Sequence, residues 1–295
     1  MTECARSMLL ETDWNEEWMR LARERRRADV PAAWDVRARH FRPRETAPYA
    51  RAFIRLMGAA PGESVLDMGC GGGSIAIPLA RAGHEVIAAD FSPAMLDAVR
   101  TGAAHYGVGE RVQVRELAWA DDWEAAGVAP RSVDVAIASR SIATGDLRGA
   151  LMKLDRTARR RCCVTLVTGA SPRLDTTVMD AIGAAYTSGC DYVYAFNILV
   201  GEGIAPEVAY IDSPRRDTFD SLEAGVADFS RMLEGGNEDR AGELHSYIEA
   251  HMVPNPHAGE PGSKGLPQGR YMLDHVRRVR WAFISWEPRA DTDHA

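Results

Sequence analysis

An acid followed by three alternate glycines is the part of this chain best suited to chemistry. The segment VLDMGCGGGS, residues 65–74, is an apolar run that contains Asp67 and continues through Gly69, Gly71 and Gly73. Glycines between a buried strand and a helix permit positive φ angles and leave room for a ligand at the helix N-terminus. The pattern predicts a loop that binds either a phosphate pair or an adenosyl group.

The acid in front of the glycines separates these two ligands. In the dinucleotide pattern G-x-G-x-x-G the third position would be Ser74, so that match is inexact. The pattern D-x-G-x-G-x-G fits throughout, and the carboxylate of Asp67 would repel a pyrophosphate but attract the ammonium and sulfonium of S-adenosylmethionine. An adenosyl cofactor is therefore favoured, and a nicotinamide-dependent oxidoreductase is the alternative.

Alternating strands and helices would place this loop at one edge of a sheet. Apolar runs predict strands near residues 64–67, 85–89, 111–116, 133–138 and 161–167. Helical patterns occur near residues 73–82, 93–106 and 146–159. Because the strands are apolar on both faces, we expect a parallel sheet with helices on both sides.

The other segments would extend this domain at both ends. Two short amphipathic helices predict an N-terminal helical lid over residues 1–46. Residues 47–288 would form an α/β domain, in which the strands EVAYI and VRWAFISWEP complete a doubly wound, mostly parallel seven-stranded sheet. Helical patterns predict insertions at about 172–204 and 215–269, and residues 289–295 would be a charged tail.

Composition argues against several classes of protein. A net charge of −7 does not suit a nucleic-acid partner. The five cysteines form no C-x-x-C pair, and their odd number argues against a disulfide framework. No apolar stretch approaches the roughly 18 residues of a membrane span. His251 and His257 are not at a ligand spacing, so no metal is expected. These features predict a cytoplasmic protein without a membrane partner.

Four stretches, taken in order, resemble the class I S-adenosylmethionine-dependent methyltransferases of the small-molecule branch. They are VLDMGCGGG, HEVIAADFSPAMLDAVR, ELAWADDW and SVDVAIASRS. The resemblance spans about residues 47–167 and implies a Rossmann-like methyltransferase fold. It also implies that the enzyme uses S-adenosylmethionine and releases S-adenosylhomocysteine.

The resemblance assigns the cofactor to residues at the ends of the first four strands. An acid at the end of strand two would take the ribose hydroxyls, and the loop after strand three would take the adenine edge. The implied cofactor residues are Asp67, Gly69, Gly71, Gly73, Asp90, Phe91, Ala120, Asp121 and Ser139. Two alternatives stay open: Asp90 could cap the next helix, although Ser92 suits that role better, and Asp122 could replace Asp121.

Methyl transfer requires alignment of a nucleophile with the donor and exclusion of water, so no catalytic motif is obligatory. Strand four is followed by Ser139, Arg140 and Ser141 and lacks the N/D-P-P-Y/F/W motif of DNA amino-methylases and the Pro-Cys of cytosine methylases. A small-molecule acceptor is therefore the leading class, with in-line transfer in an enclosed pocket. A non-catalytic protein that binds S-adenosylmethionine, with a regulatory or partner role, is the further alternative.

Three segments offer candidate acceptor contacts. Arg140, after strand four, could hold an anionic acceptor or the cofactor carboxylate, or could simply pair with an acid. Trp34 and Phe41 resemble the aromatic lid of related methyltransferases, although aromatics at helical spacing also suit a core. Tyr192, Tyr194 and Asn197 would lie on an inserted helix, where substrate binding and packing are equally compatible.

Overall fold

The computed structural model describes residues 11–25, 46–142, 144–262 and 267–290. The chain forms two compact units, each built from separate segments. The first comprises Met1–Leu166, Asp191–Ala209 and Ala282–Ala295, and the second comprises Val167–Cys190 and Tyr210–Trp281.

The strands of the described residues form a large sheet and a small sheet. In chain order they are β1 (Val65–Met68), β2 (Val86–Asp90), β3 (Val112–Glu116), β4 (Val133–Ser139), β5 (Ala158–Val167), β6 (Glu207–Arg215), β7 (Thr218–Phe219), β8 (Met252–Pro254), β9 (Tyr271–Leu273) and β10 (Arg277–Trp286). Within the described ranges the large sheet has seven strands in the order β3-β2-β1-β4-β5-β10-β6. The pairs β1–β2, β1–β4, β2–β3 and β4–β5 are parallel. The predicted doubly wound, mostly parallel sheet is confirmed.

Helices connect these strands where the sequence pattern predicted them. The described α-helices are α1 (Trp14–Arg25), α2 (Pro48–Met57), α3 (Ala76–Arg81), α4 (Pro93–His105), α5 (Leu147–Thr157), α6 (Thr176–Ala181), α7 (Asp191–Gly201), α8 (Leu222–Ser230) and α9 (Ala241–His251). At the start of α4, Ser92 Oγ accepts a hydrogen bond from the Met95 amide at 3.2 Å, and Pro93 is the first helical residue. Ser92 is therefore the cap of α4, as its sequence position favoured.

In the first unit, α1 and α7 pack together. Trp18 is buried, and its indole nitrogen donates to the Thr144 carbonyl at 2.7 Å. Tyr194 makes edge contacts with both Trp14 and Trp18, with ring centroids 6.0 and 5.8 Å apart. Ala195 is fully buried between these elements, which explains why α7 belongs to the first unit. The segment expected as one insertion at 172–204 is thus divided between the two units.

The second unit has a core of its own. Its small sheet has the order β7-β9-β8, and the aromatic rings of Phe219 and Phe229 are buried beside Ile248 of α9. Asp175 caps α6 by accepting the Thr177 amide at 3.1 Å and also accepts from His275 Nε2 at 2.9 Å. Among the described residues of the whole chain, no helix is both long enough and apolar enough to cross a membrane.

Candidate active site

The three alternate glycines after β1 share positive φ angles but differ in what surrounds them. Their φ angles are +72°, +52° and +80° for Gly69, Gly71 and Gly73. A β-carbon on Gly69 would overlap the Ser141 side chain, and one on Gly73 would lie 2.9 Å from Ile77 Cδ1. A β-carbon on Gly71 would meet nothing within 4 Å. Two glycines therefore serve packing, and the middle one leaves open space where a ligand could approach the backbone.

Asp90 ties the end of β2 to this loop. Its Oδ2 accepts a hydrogen bond from the Gly71 amide at 2.9 Å, and its Oδ1 accepts one from the Ser92 amide at 3.0 Å. The side chain is buried beside the glycine loop. These two contacts orient the Asp90 carboxylate, and a carboxylate oxygen can accept more than one hydrogen bond.

Asp67 is a buried acid with one oxygen left unsatisfied. Only 2% of the residue is exposed, and its carboxylate accepts a hydrogen bond from the Ala76 amide at the start of α3. Its Oδ2 is buried and has no hydrogen-bond partner among the described residues. Burial, together with the nearby charge of Asp90, raises the pKa of Asp67 to about 7. A cationic ligand group at Oδ2 would remove this penalty, so the ammonium of S-adenosylmethionine fits the site.

Cys70, inside the glycine loop, is not a candidate nucleophile. Burial raises the pKa of its thiol well above the usual value, and Asp67 adds to the shift. The amides of Gly69 and Cys70 both donate to the Ala89 carbonyl, at 2.7 and 2.9 Å. The Cys70 side chain therefore fills space inside the loop.

Ser141 joins the loops that follow three strands, and sequence reasoning missed it. Its hydroxyl donates to the Met68 carbonyl at 2.7 Å, and its own carbonyl accepts from the Trp119 indole at 2.9 Å. The loops after β1, β3 and β4 are thus fastened together. Nothing in the sequence indicated this role, because the contact with Gly69 arises only when β1 and β4 are paired.

In the loop after β3, Asp121 supports the backbone. Its Oδ2 accepts from the Ala118 amide at 2.7 Å, and its carbonyl accepts from Lys153 Nζ at 2.6 Å. Asp121 and Ala120 are exposed. Asp122 caps the following turn instead, because its Oδ1 accepts two backbone amides. The adenine contact predicted for Ala120 and Asp121 stays a prediction.

A second polar cluster lies at the carboxyl ends of β4 and β5. The Tyr49 hydroxyl lies 2.9 Å from Ser139 Oγ and 2.8 Å from Thr165 Oγ1. The guanidinium carbon of Arg140 lies over the Tyr49 ring, 4.1 Å from its centroid. Burial raises the pKa of Tyr49, so its phenol stays protonated. Ser139 and Arg140 were candidates from the sequence, whereas Tyr49 and Thr165 were missed.

The remaining predicted site residues include three on α7. Tyr194 packs against α1, and the Asn197 amide donates to the Val193 carbonyl of its own helix at 2.8 Å. Tyr192 is also packed against the core of the first unit. These contacts favour the packing alternative for α7. Trp34 and Phe41 lie outside the described residues. Phe91 follows Asp90 and is partly buried.

Comparison with known proteins identifies the class of enzyme. Residues 65–161 match the family model described as a methyltransferase domain. An uncharacterized protein of Haemophilus influenzae is 29% identical over 263 residues, which cover 87% of this chain and 89% of that protein. A ubiquinone biosynthesis O-methyltransferase of Hahella chejuensis is 37% identical over 92 residues, 30% of this chain and 38% of that enzyme. The YcgJ protein of Bacillus subtilis shares the fold, with a TM-score of 0.50 and 15% identity over 82% of this chain and 98% of that one.

The matched segment contains the glycine loop, Asp90 and all of β4. Together with the strand order, the match shows that residues 65–161 form a methyltransferase domain, and the chain is an S-adenosylmethionine-dependent methyltransferase. Its cofactor is S-adenosylmethionine, so the nicotinamide-dependent alternative is set aside.

Proposed function

We propose that this methyltransferase acts on a small-molecule acceptor and transfers the methyl group in line within an enclosed pocket. The observation that carries the cofactor part of the proposal is the buried Oδ2 of Asp67, which lacks a partner among the described residues. It lies in β1 immediately before the glycine loop, where a cationic group would be stabilised.

The chain's own residues divide the binding task. Asp67 would hold the methionine ammonium, and the open face of Gly71 would admit the cofactor to the backbone. Asp90, already oriented by two backbone amides, would accept the ribose hydroxyls. Asp121 and Ala120 would flank the adenine edge. Phe91 and Ser139 would complete the cofactor pocket.

S-adenosylmethionine supplies an electrophilic methyl group when bound, so the protein needs chiefly to orient the acceptor and keep water out. Ser141 fixes the relative positions of three loops around the site through its contacts with Met68 and Trp119. This internal fastening supports a preorganised pocket, because misplacement of reacting atoms by about 1 Å can cost on the order of a hundredfold in rate.

The net charge of the protein and the sequence that follows β4 both support a small-molecule acceptor. A net charge of −7 opposes the accumulation of a polyanion such as RNA or DNA at the surface. The sequence after β4, Ser139–Arg140–Ser141, differs from the motifs that DNA methylases place there.

The test measures cofactor binding and then asks which fraction of a cell lysate receives the methyl group. Calorimetric titration should show binding of S-adenosylhomocysteine and none of NAD. Cofactor with a labelled methyl group, incubated with the enzyme and a cell lysate, should label the low-molecular-weight fraction. Label confined to RNA or protein would overturn the small-molecule assignment. Cofactor binding without labelling of any fraction would favour a non-catalytic role.

A further inference from the structure

Arg140 has a backbone conformation that arginine does not favour. Its φ is +59°, in the left-handed region where a β-carbon is crowded and glycine is preferred. The conformation is fixed by its amide, which donates to Thr165 Oγ1 at 3.0 Å. Non-glycine residues in such conformations cluster at ligand sites, so the side chain at this position requires its own explanation.

Tyr49 is a fixed support for the Arg140 side chain. Its ring is buried on α2, and its hydroxyl is held between Ser139 Oγ and Thr165 Oγ1. The guanidinium lies 4.1 Å from the ring centroid, while Arg140 as a whole is exposed. A guanidinium supported by an aromatic ring carries planar N–H donors whose geometry suits bidentate contact with carboxylate or phosphate.

The cluster is close enough to the cofactor acid for both to act on the same ring. Burial is the largest influence on the pKa of Tyr49 and raises it. The charge of Arg140 lowers this pKa, and the charge of Asp67 raises it. The carboxyl edge of the sheet thus carries a cation at Arg140 near the acids Asp67 and Asp90. A ligand spanning this edge would meet negative charge at β1 and β2 and positive charge after β4.

We propose that Arg140, stacked on Tyr49, binds a carboxylate or phosphate group of the methyl acceptor, so that the substrate is a small anion. This inference rests on the proposed function. The carboxylate of the cofactor has the same chemistry, and the experiment below distinguishes the two sources. A small anion also explains how an acidic protein can recruit its substrate: a single exposed, oriented guanidinium provides the attraction locally.

Arg81 provides a matched control. It is the last residue of α3, it is exposed, and its guanidinium is stacked over the Tyr106 ring at 4.5 Å from the centroid. It therefore has the same charge and the same kind of aromatic support as Arg140. Because α3 runs back from the carboxyl edge, its last turn lies toward the opposite edge of the sheet.

The experiment is a calorimetric titration of the full chain saturated with S-adenosylhomocysteine. Sodium benzoate and inorganic phosphate are titrated separately. Wild type, Arg140→Gln and Arg81→Gln are compared. Wild type should bind at least one of the anions. Arg140→Gln should weaken that binding at least tenfold, and Arg81→Gln should leave it unchanged within twofold. The affinity for S-adenosylhomocysteine should stay within twofold in both variants. Arg140→Gly, whose backbone suits the positive φ, should repeat the loss of anion binding in a folded protein.

Three results would overturn the proposal. Wild type could fail to bind either anion, the two arginine variants could weaken binding equally, or Arg140→Gln could weaken S-adenosylhomocysteine binding tenfold while anion binding persists. The last result would assign the guanidinium to the cofactor carboxylate. Failure of wild type to bind S-adenosylhomocysteine at all would instead contradict the proposed function, so the two failures are distinct.

Discussion

Strand β4 is preceded and followed by arginines in the same left-handed conformation, but the two side chains have different surroundings. Arg131, before the strand, has a φ of +54°, and Arg140, after it, has a φ of +59°. The Arg131 guanidinium donates to the carbonyls of Asp155 at 2.8 Å and Ala158 at 2.6 Å, and also to that of Arg289. Its role is to fasten the amino edge of the sheet. The Arg140 guanidinium is exposed on an aromatic ring at the carboxyl edge, where ligands of such folds bind.

Buried acids show the same contrast between the two edges. Asp155, at the end of α5, accepts a hydrogen bond from the Trp286 indole at 3.0 Å and lies 3.4 Å from the Arg289 guanidinium. Asp67, equally buried, retains an oxygen without a partner among the described residues. The buried acid near the amino edge has internal partners, whereas the buried acid at the carboxyl edge keeps an oxygen that a ligand could use.

The largest effect is expected on cofactor affinity when Asp67 is changed to Asn. Loss of the carboxylate removes a charge-assisted contact with the ammonium and should weaken S-adenosylhomocysteine binding by about 2–3 kcal/mol. The free energy of unfolding should not fall, because the substitution removes a buried, incompletely paired charge. Calorimetric titration and denaturant unfolding measure the two quantities. A destabilised protein with unchanged affinity would place Asp67 among the structural acids.

The opposite outcome is expected for Asp155→Ala. The buried Trp286 indole would lose its acceptor, and the free energy of unfolding should fall by about 2–3 kcal/mol. The Arg289 contact adds little to this value, because that side chain is 45% exposed. Affinity for S-adenosylhomocysteine should stay within about twofold of wild type in the folded fraction. If affinity fell as far as in Asp67→Asn, the two edges would not be functionally distinct.

Cofactor affinity should depend on pH through Asp67. Its pKa is about 7 in the free protein, and a bound ammonium would favour the charged form, so binding should release a proton below that pH. Affinity should fall by about tenfold per pH unit as the pH decreases below 7. Calorimetry in two buffers with different ionisation enthalpies would measure the released proton, and Asp67→Asn should abolish it. A pH-independent affinity between pH 5 and pH 8 would contradict this.

Asp67 should make the stability of the free protein depend on pH in the direction opposite to cofactor affinity. Because the pKa of Asp67 is raised by folding, its contribution to stability is fully present below the unfolded pKa of about 4. That contribution is lost as the pH rises toward the folded value of about 7. The difference in unfolding free energy between wild type and Asp67→Asn should follow this direction, since other titrating groups cancel in the comparison.

The smallest effects should come from glycine at the two ends of β4. Arg140→Gly should raise the free energy of unfolding by about 0.5–1 kcal/mol, because glycine accepts the positive φ without strain. Arg131→Gly relieves the same strain but removes hydrogen bonds to main-chain carbonyls, so it should lower that free energy by about 1–2 kcal/mol. Chemical denaturation of both variants gives the sign. Equal signs would mean that backbone strain dominates at both positions.

The fold and the cofactor loop could be predicted because their signals are local. The mostly parallel sheet follows from the alternation of strands and helices along the chain, and Asp67, Gly71 and Asp90 lie in short motifs at the ends of β1 and β2. Tyr49 was missed because its partners Ser139 and Thr165 are 90 and 116 residues away. No periodicity in a helix reports a contact at that sequence separation.

The position of α7 escaped prediction for a related reason. Its apolar pattern indicated a buried helix but not which core would bury it. From the sequence, Tyr194 could equally face a substrate or a core, and its packing against Trp14 and Trp18 favours the core. Local pattern thus determines the type of an element, whereas its neighbours depend on how the whole sheet is assembled.

The interleaved order of the two units has a consequence for the newly made protein. Strand β10 lies between β5 and β6, and Phe283 on it packs against Phe53 with ring centroids 5.2 Å apart. A nascent chain must therefore emerge from the ribosome almost to residue 286 before the first unit can close its core. Until then β5 and β6 each lack their neighbour β10, and such open strand edges invite aggregation. The yield of folded enzyme should accordingly increase more with slow translation or added chaperones than with substitutions at the carboxyl edge of the sheet.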